Sequence, residues 1–286
     1  MTSRREVTVA SVQMDVTIGD VAGTLAKVGR WVDRAAAKGA DIVLLPELVM
    51  SAGYSLGDGF YEVAETVPGP STEALGRKAR EHQLYVVAGI AERDDTGTVF
   101  NSAVIIGRDG GVAGSYRKTH IFPATESFFA LGSDLPVFDL DFGRVAIPIC
   151  YDLEFPEPGR ILCLKGAELL LSMAAHWIGT GTVGTPANFI ATIYAARALE
   201  NRVPVALSNR VGFDPGLNDK FVGLSRIVDA DGMTVASMSD DSEGMITATF
   251  DLEEQRRKRR SYNYFRDRKP RLYGPLVESD ATRRSI

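Results

Sequence analysis

Pro148-Ile149-Cys150-Tyr151-Asp152-Leu153-Glu154-Phe155-Pro156-Glu157 is the stretch on which the reading of this chain turns. Upstream, Gly143 to Ile147 reads as a short apolar strand. Downstream, Pro156 to Gly166 reads as a helix, with Pro in the first turn, where its missing N–H costs nothing, and Gly at the end. Cys150 therefore falls where a buried strand turns into a helix. Such a place lifts a side chain out of the sheet and points the free N–H groups of the helix start towards it. The setting predicts a thiol more acidic than one in solution, because those donors and any nearby cation stabilise the thiolate. The plainer alternative is a buried structural cysteine, since free Cys is among the most buried residue types.

Working outward, strands and helices alternate. Val7 to Met14 is β-branched and reads as a strand. Asp20 to Lys38 carries Val21, Leu25, Val28 and Val32 at helical spacing and stops at Gly39. Asp41 to Leu45 is a continuous apolar run, as expected of a strand covered on both faces, and ends in Pro46-Glu47. After an aromatic, Gly-rich loop (Gly53 to Phe60), Ser71 to Gln83 reads as a helix and Leu84 to Ala91 as a strand. Asn101 to Ile106 and Val112 to Tyr116 flank an Asp109-Gly110-Gly111 turn and form a hairpin. Phe122 to Leu135 reads as loop and Val137 to Leu140 as strand. Beyond the cysteine, Glu168 to Met173, Val203 to Asn209, Val222 to Val228 and Met245 to Phe250 read as strands, and Pro186 to Asn201 and Leu252 to Ser261 as helices. This pattern predicts a layered α/β sandwich with a mixed sheet. No Pro/Ser/Gly-rich linker or repeat interrupts it, so the expectation is one domain over residues 1–286, with 274–286 as a C-terminal tail.

Composition narrows the function classes. Hydrophobic residues make up 45% and charged residues 24%, which suits a globular chain and excludes a disordered one. A net charge of -5 gives no reason to expect nucleic acid or an anionic membrane as partner. Arg256-Arg257-Lys258-Arg259-Arg260 reads as a solvated helix face, because Glu253-Glu254 precedes it. No apolar segment is long enough to cross a membrane. The charged start, Met1 to Glu6, lacks the apolar run of a signal peptide, and the two cysteines, Cys150 and Cys163, suggest no disulfide framework. The expected location is cytoplasmic. Two cysteines and three histidines without ligand spacing suggest no metal site.

A nucleophilic cysteine needs a base, an oxyanion stabiliser and groups that hold both. His82, His120 and His176 are the histidines, and none is placed by sequence as an evident base. Two charged residues at strand ends are better placed. Glu47 directly follows an apolar strand, where burial would raise a carboxyl's pKa into the range of a general base at neutral pH. Lys118 ends another strand, and its ammonium would depress the Cys150 pKa and hold an oxyanion. Taken singly, a solvated glutamate and a surface lysine are the plainer readings.

With these residues in place the chain resembles the nitrilase superfamily of carbon-nitrogen hydrolases. The resemblance is carried by Leu45-Pro46-Glu47 with Gly53-Tyr54, by Tyr116-Arg117-Lys118-Thr119-His120-Ile121-Phe122, and by Ile149-Cys150-Tyr151-Asp152 with Phe155-Pro156-Glu157. Further echoes are Asn101-Ser102-Ala103-Val104, Arg197 to Asn201, Ser208 to Gly212 and Gly223-Leu224-Ser225. The resemblance implies a four-layer α-β-β-α sandwich that assembles as a homodimer or higher homo-oligomer, and a chemistry without metal or organic cofactor. It implies that Cys150 attacks an amide or nitrile carbon, that Glu47 moves the protons, and that Lys118 and the backbone N–H of Tyr151 hold the oxyanion. It implies that Glu126 orients Lys118, and that a thioester forms and is hydrolysed.

Tyr151-Asp152 stands where nitrilases of this superfamily show Trp-Glu, which favours an amidase acting on a small linear carboxamide. An N-carbamoyl amine hydrolase and an aliphatic nitrilase are the alternatives, with a catalytically silent interaction protein a remote one. Glu154 stands where many relatives have Arg, which suggests an amide bearing an amine unless Glu154 is paired by a neighbouring arginine. Tyr54, Phe129, His176 and Trp177 are candidate pocket walls alongside Glu154.

Overall fold

The computed structural model of the chain describes residues 6–51, 53–179, 185–239 and 241–278. The charged start before Glu6 and the tail beyond residue 278 lie outside the described residues. Two sheets of six strands dominate. The first takes β1 (Glu6–Gln13), β2 (Ile42–Leu44), β3 (Tyr85–Arg93), β4 (Val99–Ile106), β5 (Val112–Arg117) and β14 (Gly244–Asp251), in the order β14-β1-β2-β3-β4-β5. The second takes β6 (Phe138–Asp139), β7 (Arg144–Ala146), β8 (Leu169–Ala174), β9 (Val205–Asn209), β12 (Arg226–Val228) and β13 (Thr234–Ser237), in the order β13-β12-β9-β8-β7-β6. A separate ribbon pairs β10 (Val211–Asp214) with β11 (Asp219–Val222).

The alternation of side chains along each strand explains the layers. Val7 and Val9 of β1, Ile42 and Leu44 of β2, and Val87 of β3 point inward and meet Leu169, Leu171, Val205 and Leu207 of the second sheet in one core. The residues between them, Ala10, Val12, Val43, Val86 and Ala88, form a second core with Val28, Trp31, Val32 and Ala35 of α1 (Val21–Ala37) and with Leu75 and Ala79 of α3 (Pro70–His82). A short helix, α2 (Phe60–Val63), precedes α3. On the far side, Leu162 and Cys163 of α4 (Pro156–Leu164) and Ile190, Tyr194 and Ala198 of α5 (Pro186–Asn201) cover the second sheet. The result is the α-β-β-α sandwich.

The helix bounds follow local chemistry. Asp20 caps α1 by accepting from the Gly23 N–H at 2.8 Å, and Pro stands in the first turn of α3, α4 and α5. The predicted strand over Val222 to Val228 is not one strand. Gly223 and Leu224 have φ of 59° and 60°, and the chain turns there from β11 into β12. Distant side chains hold that corner: Gln13 Oε1 accepts from the Ser225 N–H (2.9 Å), and the Ser225 hydroxyl accepts from the Asn209 N–H (3.0 Å). The hairpin β10–β11 and the edge strand β13 were likewise not predicted.

The arginine-rich α6 (Leu252–Ser261) lies over the entry edge of the second sheet and is not simply solvated. Arg256 donates twice to Glu168 (2.6 and 3.0 Å), and Arg259 donates to the carbonyls of Cys163 and Ala167 (2.9 and 3.3 Å). These guanidiniums therefore tie the helix down. Among the described residues no helix is long and apolar enough to cross a membrane.

Candidate active site

Strand direction brings the candidate groups together. β1, β2 and β3 run parallel, and β5 joins that direction through antiparallel β4. β7, β8 and β9 are parallel to one another, and a parallel bridge from Met14 to Arg210 aligns β9 with β1. Glu47 after β2, Lys118 after β5, Cys150 after β7 and His176 after β8 consequently stand beyond the exit ends of strands that all point one way. Crevices outside the carboxyl ends of strands are where open α/β sheets build sites.

Two backbone features place the carboxylate and the thiol. Gly89 of β3 lies under the turn that carries Glu47, and a Cβ there would stand 2.3 Å from the Leu48 nitrogen and 2.9 Å from the Glu47 backbone. Only glycine permits that approach. Cys150 itself has φ 46°, a left-handed conformation that costs a non-glycine residue about 1–3 kcal/mol. It opens the 3-10 turn Cys150–Leu153, so the N–H of Tyr151 belongs to the first turn, where helical N–H groups lack a partner within the helix.

Asp152 holds this strained turn. Its Oδ2 accepts from the Ile149 N–H (2.9 Å) and the Tyr116 hydroxyl (2.7 Å), and its Oδ1 accepts from the His120 N–H (3.0 Å) and the Thr119 hydroxyl (2.9 Å). One buried carboxylate thus locks the cysteine turn to the segment carrying Lys118. Asp152→Ala strands at least two backbone donors, each costing about 1–3 kcal/mol when buried. The expected result is a fall of about 3 kcal/mol or more in unfolding free energy, read as a lower urea midpoint at unchanged slope.

Around Lys118, which is fully buried, lies a closed charge cluster. Its Nζ donates to Glu47 Oε1 (2.7 Å) and to Glu126 Oε1 and Oε2 (2.7 and 2.8 Å). Asn101 Nδ2 donates to Glu47 Oε1 (2.7 Å) and Glu126 Oε1 (3.1 Å). Glu126 also accepts from the Tyr54 hydroxyl (2.7 Å) and the Phe122 N–H (2.8 Å). One carboxylate oxygen of the pair, Glu47 Oε2, is buried without a partner.

Electrostatics sets the protonation states. Burial works against the Lys118 ammonium, but Glu126 and Glu47 outweigh it and hold the group charged, well above the ordinary lysine value. Burial pushes the Glu47 carboxyl up to about 7 against the pull of Lys118. For Cys150, burial and then the Glu47 charge push the thiol well above its ordinary value, with Lys118 opposing. The expected acidic thiol is corrected here: desolvation by the packed core exceeds the help of the helix start and of Lys118, so Cys150 carries its proton at neutral pH. Burial, and secondarily Lys118, lower His176 to about 4, which leaves a neutral imidazole with both ring nitrogens 3.9 Å from the Cys150 Sγ.

The other predicted residues divide. Tyr54 packs on Trp177 (5.4 Å between ring centres), and Trp177 on Phe122 (5.4 Å), which in turn meets Tyr151 (5.2 Å). The ring contacts of Phe129 are with Phe60 and Phe128 (4.9 and 4.5 Å), within the same apolar cluster as Tyr54 and Trp177. Glu154 is half-buried just after the cysteine turn. His120 is held by Asp152 and stacks on Phe155 (4.6 Å), whereas His82 pairs with Asp33 on α1. Asp33, Glu81 and His82 stand close enough to hold an ion, but the Lys78 ammonium already lies 2.7 Å from Asp33 and 3.1 Å from Glu81.

Asn101, Asp152 and Asn209 went unassigned a role in the sequence. Asn209 accepts from the His176 N–H (3.0 Å) and so fixes the entry of the histidine. The available signal was a polar residue inside an apolar strand, Asn101 in β4 and Asn209 in β9, which burial makes costly unless it is hydrogen-bonded.

Comparison with known proteins shows the family and the fold. The carbon-nitrogen hydrolase family model matches residues 8–260. A nitrilase of Pyrococcus abyssi is 36% identical over 93% of this chain and 99% of its own length. The N-carbamoylputrescine amidase of Arabidopsis thaliana is 33% identical over 97% of each chain. A carbon-nitrogen hydrolase structure from Helicobacter pylori superposes with a TM-score of 0.84 at 28% identity, covering 96% of this chain and 99% of that one.

Proposed function

The chain belongs to the carbon-nitrogen hydrolase family, enzymes that cleave carbon–nitrogen bonds other than peptide bonds, and from that premise we propose that it is an amidase converting a small linear carboxamide to carboxylic acid and ammonia. The observation that carries the reading is the unpartnered Glu47 Oε2 in a cluster where every other carboxylate oxygen is used. A carboxyl whose pKa is about 7 accepts and returns protons at neutral pH with little driving force lost.

The sequence of steps follows from the protonation states. Glu47 takes the Cys150 proton as the sulfur attacks the carbonyl carbon, and the π electrons move to oxygen, where Lys118 and the Tyr151 N–H receive the charge. The carbon–nitrogen bond then breaks, and the nitrogen leaves as ammonia with the proton from Glu47. A water loses its proton to Glu47, attacks the thioester, and releases the acid as the proton returns to sulfur. Glu126, Asn101 and Tyr54 keep Lys118 and Glu47 in register. In this reading Tyr54, His176 and Trp177 border the substrate space, since His176 lies 3.9 Å from the Cys150 Sγ and Tyr54, Trp177 and Phe129 share one apolar cluster.

Ammonia release from propionamide, N-carbamoylputrescine and propionitrile, with Cys150→Ala as control, tests the assignment. Turnover of the amide, lost in the control, is the expected result. Carbon dioxide released with ammonia from the carbamoyl compound alone, or turnover of the nitrile alone, would move the protein to another branch.

Both cysteines are free and buried, which supports a reducing, cytoplasmic setting. We read the chain as one domain whose exposed Leu272, Leu276 and Val277 support assembly with further copies.

A further inference from the structure

The exit ends of the strands carry the candidate active site, and the entry edge of the second sheet carries a cavity of about 500 Å³. It lies where β7 begins at Arg144, where Glu168 leads into β8 and where Val203 leads into β9, with α6 and α7 (Tyr264–Asp267) supplying the rest of the wall. Six guanidiniums line it, those of Arg144, Arg202, Arg256, Arg259, Arg260 and Arg266, and Glu168 is the only carboxylate among the described lining residues. A chain of net charge -5 thus gathers six of its 32 lysines and arginines in one cleft. A cleft lined by one sign of charge focuses the field and concentrates ions of the other.

The arginines divide by what they already hold. Arg256 is committed to Glu168 (2.6 and 3.0 Å), and Arg259 to the carbonyls of Cys163 and Ala167 (2.9 and 3.3 Å). The other four pair with carboxylates that solvent reaches: Arg144 with Asp139 (3.0 Å), Arg202 with Asp231 (2.7 Å), Arg260 with Glu253 (3.4 Å) and Arg266 with Asp267 (2.8 Å). Ion pairs in contact with water are weak, so these guanidiniums stay available to a stronger anion. With all five carboxylates counted, the six guanidiniums still keep an excess of positive charge. Two buried atoms of lining residues, Nε of Arg202 and Oε1 of Gln255, have no hydrogen-bond partner. Buried polar atoms are nearly always satisfied, so orphans on a cavity wall mark a place that an occupant completes.

We propose that this cleft is a binding site, separate from the catalytic centre, for a small organic molecule carrying a phosphate group. The planar fork of arginine matches phosphate oxygens in pairs. Val203, Leu252 and Phe265 line the same cavity and take the organic part, with the Arg259 guanidinium over the Phe265 ring at 4.3 Å. The volume is that of a small-molecule site, more than a bare oxyanion fills. The occupant is not the reactant. β8 runs from Glu168 beside the cleft to His176 beside the thiol, roughly 25 Å of extended chain. The site therefore stands independently of the amidase reading.

Titration calorimetry of the full-length protein at fixed ionic strength, with AMP, inorganic phosphate and glutarate as probes, tests the site. AMP is expected to saturate at one per chain and to bind about 10-fold or more tighter than either of the others. Arg202→Gln and the double variant Arg260→Gln/Arg266→Gln are each expected to weaken AMP by about 10-fold or more, the effect of losing a charged hydrogen-bond donor. Arg257→Gln removes the same charge from an exposed position of α6 outside the cavity lining, and leaves the affinity within about twofold, because solvent screens a charge that makes no contact. AMP also raises the thermal midpoint of the wild type and of Arg257→Gln, and not of the cleft variants. Each protein is compared with itself, so lost binding is separated from lost stability. No saturable binding of AMP, affinity retained in the cleft variants, or an equal loss in Arg257→Gln overturns the proposal. Inorganic phosphate binding as tightly as AMP overturns the organic occupant, and glutarate binding as tightly overturns the phosphate.

Discussion

Glu47→Gln is expected to lower kcat/KM for amide hydrolysis by about 100- to 10,000-fold, the range associated with a positioned general base. The large effect follows from the state of the nucleophile. Burial and the Glu47 charge hold the Cys150 thiol protonated at neutral pH, so the sulfur depends on a neighbour to remove its proton. Glutamine preserves the hydrogen-bonding shape towards Lys118 and Asn101 but has no basic oxygen where Glu47 Oε2 now stands free. In the wild-type protein the carboxylate is the active form, so activity rises with pH through about 7 as Glu47 loses its proton and falls below it. Glu47→Gln removes that acid limb along with the rate. Glu154 also titrates near 7, and retention of the limb for a neutral amide in Glu154→Gln assigns it to Glu47. Alkylation of Cys150 by iodoacetamide supplies a readout independent of turnover, and it slows in Glu47→Gln. An unchanged pH profile in that variant would remove Glu47 from the role of base.

Lys118→Met is expected to abolish turnover and to cost about 3–5 kcal/mol of stability, the range for removing one partner of a buried ion pair. Two carboxyls then remain in a sealed site without the cation that bonds both. In this variant the Glu47 carboxyl, already pushed up to about 7 by burial, loses the opposing pull of Lys118, and its folded-state pKa rises further above the unfolded value of about 4.3. A raised folded pKa contributes stability that is complete below the unfolded value and lost as pH rises through the folded one. The deficit relative to wild type is therefore larger at pH 8 than at pH 5, and urea midpoints at the two values measure it. Equal deficits at both would show that the lost stabilisation is packing rather than charge.

Much of this was legible without coordinates. The alternation that separates inward Val7, Val9, Ile42 and Leu44 from outward Ala10, Val12 and Val43 is written in the strand pattern, and the helix Pro186–Asn201 carries its own start and stop signals. The strand-end positions of Glu47, Lys118 and Cys150 follow from apolar runs that end in polar residues. Local patterns of this kind depend on neighbours within a few positions, which is why single-sequence reasoning reaches them.

What the chain order alone determined was the set of elements, their approximate bounds, and the chemical types delivered to one end of the strands. Only the tertiary structure decided how those groups behave. The corner at Gly223–Leu224 depends on Gln13 and Asn209, many residues away, so no local pattern announces it. The direction of the Cys150 pKa depends on desolvation and on the charge of Glu47, both products of packing two sheets together. The freedom of Glu154 depends on Arg197 spending its guanidinium on carbonyl oxygens and on Glu200. Protonation state and partner choice are set by the sum of long-range neighbours and by the water they exclude, and that sum exists only once the chain has folded.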